Sequence, residues 1–100
     1  RQGMMQYLLF QIDEYTLALP LDYVKRVIQA PAINDTLLGS KEILGIIDMH
    51  GEAVPVINTR KTLSIENKEL EISDQLILCE IDSRMFALCV DNTLEVIDCK

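Results

Sequence analysis

The sequence predicts an all-β protein, a barrel or sandwich. About seven short apolar stretches alternate as strands do, turn signals recur between them at short intervals, and no long helical periodicity competes with them. Two runs, Leu76-Ile77-Leu78-Cys79 and Phe86-Ala87-Leu88-Cys89-Val90, are apolar on both faces. Such runs suit strands covered on each side, as in a small barrel or at a junction between two. The 49% hydrophobic and 25% charged fractions exclude a disordered chain. One hundred residues suit a single domain or two very small fused ones, with an adequate core.

The elements follow in order. Residues 6–12 form a strand with Leu8, Phe10 and Ile12 on one face and Tyr7, Leu9 and Gln11 on the other. Asp13-Glu14 makes the turn, and residues 15–19 return with Tyr15, Leu17 and Leu19 aligned. Pro20-Leu21-Asp22-Tyr23 interrupts the strand as a short helical turn. Residues 24–29 resume it, although Val24, Val27 and Ile28 also fit helical spacing. Residues 30–34 read as a linker, and Ser40-Lys41-Glu42-Ile43 as one helical turn before Gly45.

A hairpin follows, turning at His50-Gly51-Glu52, and its second strand carries Pro55. Proline has no N–H for a ladder, so Pro55 belongs on an edge, at a bulge, or where its N–H side faces away from a partner. Residues 62–73 read as an exposed excursion anchored by Ile65, Leu70 and Ile72. Residues 75–81 and 85–90 make a second hairpin around Asp82-Ser83, and residues 93–99 a last strand with Leu94, Val96 and Asp98 on one face.

Sixteen carboxylates against nine Lys and Arg give a net charge of −7, and the cations are dispersed. That balance disfavours nucleic-acid phosphates and anionic lipid. No apolar run approaches the ~20 residues of a membrane helix, so no membrane insertion is expected. No secretory signal is visible: Arg1-Gln2-Gly3 precedes Met4 and Met5 and then a strand.

Cys79, Cys89 and Cys99 lie ten apart with a single His in the chain, which is not metal-site spacing. They read as reduced thiols of a cytoplasmic protein. Nucleophile elbows, phosphate loops and paired-His motifs are missing from the sequence, so neither enzyme activity nor a cofactor is expected. Asp13-Glu14 reads as solvated turn surface, and His50 as an exposed turn residue.

The ordered segments Tyr7-Leu8-Leu9-Phe10, Tyr15-Thr16-Leu17-Ala18-Leu19-Pro20-Leu21 and Val24-Lys25-Arg26-Val27-Ile28 resemble the opening of a CheW-like domain. Gly45-Ile46-Ile47-Asp48-Met49-His50-Gly51 resembles that family's G-V-I-N-L-R-G. Val54-Pro55-Val56-Ile57-Asn58-Thr59-Arg60 resembles its V-P-V-V-D-L-R, and the segment Ala87 to Val96 its G-L-V-V-D-x-V-x-E-V. The resemblance implies two small five-stranded SH3-like barrels, the first from residues 5–30 plus 94–100 and the second from residues 43–93.

It also implies an adaptor that couples a chemoreceptor signalling tip to the regulatory domain of a CheA-type histidine kinase in chemotaxis signal transduction. Partner contacts would fall to Val24, Arg26, Ile28, Asp48, His50 and Gly51. Alternatives are an adaptor of another two-component pathway, or a small-molecule or redox-sensing domain using the three cysteines.

Three departures accompany the resemblance. His50 stands where the family has Arg, with Asp48 for its Asn, and Arg26 replaces an acidic residue. An exchange of charge is expected from this, with Arg26 pairing with Asp48 or lying near His50. The chain also ends where the family continues with a further strand and a helix. The expectation is an incomplete first barrel, either because the chain is a fragment or because another subunit fills the gap in a homodimer through its edge.

Overall fold

The computed structural model describes residues 5–29, 42–66 and 73–99. Eight strands are formed by the described residues: β1 (Met5–Ile12), β2 (Tyr15–Pro20), β3 (Val24–Gln29), β4 (Ile43–Met49), β5 (Glu52–Ile57), β6 (Gln75–Ile81), β7 (Arg84–Val90) and β8 (Asn92–Cys99). The all-β expectation holds. A 3₁₀ turn at Leu21–Tyr23 follows Pro20, as the interrupted strand pattern suggests.

Two sheets form, a three-stranded one in the order β2-β1-β8 and a five-stranded one in the order β3-β6-β7-β5-β4. All pairings are antiparallel except β5 with β7, which is parallel.

Alternation along the strands assigns side chains to two cores. Leu8, Phe10 and Ile12 of β1 join Ile77 and Cys79 of β6 and Val90 in a cluster between the sheets, with Leu17, Leu19, Val27, Phe86 and Leu88 packed around it. The other face of β6, Leu76 and Leu78, joins Ile47, Val54, Val56 and Ala87 in a second cluster within the five-stranded sheet. Leu76, Ile77, Leu78 and Cys79 all have 0% exposure, so β6 is covered on both faces. That is why its sequence shows no polar alternation.

The β4–β5 hairpin places Met49 opposite Glu52, with His50 and Gly51 between them at φ 55 and 87. Two positive φ values give the type I′ geometry that matches strand twist. Counting along this ladder, Pro55 falls opposite Ile46 in a non-hydrogen-bonded pair, so its nitrogen faces away from β4. On that side the ladder to β7 begins only at Val56. Pro55 thus costs the sheet no hydrogen bond, although β5 is an interior strand.

Three expectations change. A single helical turn, α1 (Thr59–Thr62), was not foreseen; the Asn58 side chain caps it by accepting from the Lys61 N–H. Ile43 is already in β4, so the turn expected over Ser40 to Ile43 does not include it. A bulge breaks the expected alignment of Leu94 with Val96 and Asp98 on one face: Val96 pairs with Leu8 but Thr93 with Phe10, and Leu94 and Val96 are 46% and 48% exposed. Ile65 packs on the first cluster as expected. The readings of residues 30–41, 67–72 and 100 lie outside the described residues.

Candidate functional site

The six residues singled out from the sequence fall into two groups. Val24, Arg26 and Ile28 lie on β3, at one end of the five-stranded order. A bulge between Val24 and Arg26 offsets the register, so Val24 packs toward the first cluster and Ile28 toward the second. Arg26 is exposed on the same strand. Charged side chains at a sheet edge also discourage indiscriminate strand pairing. The neighbouring Lys25 pairs with Glu80 at 3.0 Å across β6, a surface bridge of small energetic weight.

Asp48, His50 and Gly51 lie at the far end of the order, on β4 and its turn, and all three are exposed. Asp48 points to the same outer face as Ala53, while Ile47 of the same strand is 3% exposed and enters the second cluster. No ion pair joins Arg26 to Asp48 among the described residues, and their strands, the first and last of the order, share no ladder. The expected charge exchange is therefore not realised as a direct bond.

A surface pocket of about 530 Å³ lies at the β6–β7 turn, lined by Ile81, Asp82, Arg84 and Phe86, and none of the six residues lines it. No group of three or more His, Cys, Asp or Glu is placed to hold a metal among the described residues. No helix among them is long and apolar enough to cross a membrane.

The sequence reading missed a polar cluster gathered around one buried arginine. Arg60, in α1, is 8% exposed. Its Nη2 donates to Asp13 Oδ1 at 2.7 Å and to both Asp91 carboxylate oxygens at 3.0 Å, and its Nη1 donates to the Glu66 carbonyl at 2.9 Å. The hydrogen bond to Asp13 is the main reason the Arg60 pKa is raised; desolvation opposes it and Asp91 reinforces it. Asp13 is thus not merely solvated turn surface. A signal existed in the motif itself, since both Arg60 and Asp91 stand in the quoted segments.

With this geometry in view, the sequence matches the CheW-like domain family over residues 6–100. The chain belongs to the CheW-like domain family. Chemotaxis protein CheW of Thermotoga maritima is 29% identical over 92 residues, covering 92% of this chain and 60% of that protein. The crystal structure of scaffolding protein TtCheW from Thermoanaerobacter tengcongensis matches with a TM-score of 0.86 and 27% identity, over 93% of this chain and 64% of that one. This CheW-like chain therefore spans less than two thirds of the length of either relative.

Proposed function

We propose that this chain is a non-catalytic adaptor of bacterial chemotaxis signal transduction, working in the cytoplasm to couple a chemoreceptor signalling tip to the regulatory domain of a CheA-type histidine kinase. One observation carries the reading: a TM-score of 0.86 over 93% of the chain to a protein described as a scaffold. The surface chemistry agrees with it. Exposed Arg26 on the β3 edge and the Asp48-Met49-His50-Gly51 tip offer charged, strand-edge surface of the kind that mediates protein contacts.

We assign partner contacts to Val24, Arg26, Ile28, Asp48, His50 and Gly51. We retain a division into two barrels, over residues 5–30 plus 94–100 and 43–93, with β3 hydrogen-bonded to β6 of the second. Exposed Leu94 and Val96 on the β8 edge support a second copy as a further partner.

The test is calorimetric titration of the chain against a CheA regulatory domain and a receptor signalling-tip fragment. Binding is expected, and Arg26→Glu and His50→Ala should each weaken it at least about tenfold, roughly 1.4 kcal/mol. Both side chains are exposed, so their loss leaves the core intact; His50 stands at φ 55, and circular dichroism checks that His50→Ala keeps its turn. Val24 and Ile28 are half-buried, and their variants need a circular-dichroism control. Absence of binding to either partner would sink the adaptor reading. Unchanged affinity in folded Arg26→Glu and His50→Ala would remove these two residues from the site.

A further inference from the structure

Asp91 is the sole residue between β7, which ends at Val90, and β8, which begins at Asn92. The chain leaves the five-stranded sheet and enters the three-stranded sheet at this point. Its backbone N–H donates to the Gln11 carbonyl at 3.0 Å, and its Oδ2 accepts the Asp13 N–H at 2.7 Å. Asp13 is the turn between β1 and β2 and sits at φ 54, a left-handed conformation that Asp tolerates. The Arg60 guanidinium arrives from α1, directly after β5, and closes this set through Asp13 and Asp91.

Apolar contact between the sheets has no preferred direction, whereas a planar guanidinium fork shared between carboxylates does. A second polar link runs alongside. The Gln75 side-chain oxygen, on β6, accepts from the Thr93 N–H at 2.6 Å and its hydroxyl at 3.0 Å, on β8. Both links sit beside the crossing between sheets.

We infer that Arg60 is a positioning residue: with Asp13 and Asp91 it forms a clamp that sets the angle between the three-stranded and five-stranded sheets. The first core cluster supplies attraction between the sheets, and the clamp supplies orientation. Loss of the fork lets the three-stranded sheet reorient while β6 and β7 keep their structure.

The test is residual dipolar couplings and amide exchange on the isotope-labelled chain. In the wild type one alignment tensor fits the amides of both sheets. In Arg60→Gln the β1, β2 and β8 amides should depart from the tensor fitted to β6 and β7. The Asp13 amide should exchange at least tenfold faster, while residues 76–79 stay protected. A single tensor fitting both sheets in the folded variant overturns the clamp, since a merely local role for Arg60 leaves the angle unchanged. Should Arg60→Gln fail to fold, Asp13→Gly decides, because it removes one carboxylate from the fork, accepts φ 54 and leaves the contact with Asp91 in place. A smaller departure in the same direction supports the clamp, and one tensor overturns it.

Discussion

The Cys79 thiol has 0% exposure and donates to the Ile77 carbonyl at 3.5 Å, and burial pushes it up from 9.0 to about 11. A thiol held protonated in the folded state but free to ionise when unfolded favours unfolding as pH rises. Its contribution to stability is complete below pH 9 and is lost as pH climbs through about 11. The melting temperature should therefore fall over that window, with a shallower slope in Cys79→Ala than in the wild type. At pH 8 a thiol reagent should label exposed Cys99 while Cys79 stays unmodified until denaturant is added. Fast native labelling of Cys79 would contradict its burial. The same pairing of burial with chemistry separates Arg26, exposed and available to a partner, from Arg60, committed to Asp13 and Asp91.

Among the elements, the β4–β5 hairpin depends most plainly on its turn. Gly51 lies at φ 87 with nothing within 4 Å of where a Cβ would sit, so substitution meets backbone strain and no clash. Gly51→Ala should cost about 1 kcal/mol, seen as a lower urea midpoint with an unchanged m-value. A loss of several kcal/mol would mean the turn carries more than its backbone geometry.

Local chemistry of this kind is what the sequence displays well. The turns at Asp13-Glu14, His50-Gly51 and Asp82-Ser83, the Pro20 interruption and the inward faces of β1 and β6 were all readable from neighbouring residues. Helix α1 was not, because four residues are too few to show a period and Asn58 as cap was the one available sign. The contacts of Arg60 were hidden for another reason. Its carboxylates are 47 and 31 residues away in sequence, and only the paired sheets bring them together. Likewise, Arg26 and Asp48 invited a pairing that strand order does not make. The six candidate residues were found through family resemblance, whose segments mark positions but not their neighbours.

At the scale of the whole molecule, the proposed pairing of two copies rests on the exposed edge of β8. Leu94 and Val96 lie on a strand that pairs, among the described residues, with β1 alone, and Val96 shares the face of buried Leu8 through that pairing. A second copy adding at this edge gives an isologous contact of the kind that closes as a dimer. Light scattering at micromolar concentration should return twice the 11.4 kDa chain mass. Replacing Val96 by Lys should return the monomer. A clean monomer in the wild type would remove the second copy from the list of partners.

Strand β6 has a consequence of a different kind. A strand that buries both faces has no outside on which substitutions can be absorbed. Every side chain from Leu76 to Cys79 answers to one cluster or the other, so a polar residue at any of these four positions meets desolvation without relief. A saturation library of this strand will return almost only aliphatic residues and cysteine at those sites. Tolerance to drift in this fold belongs to the outward faces of β2, β4 and β8, and the sequence of β6 is the stretch that cannot be rewritten.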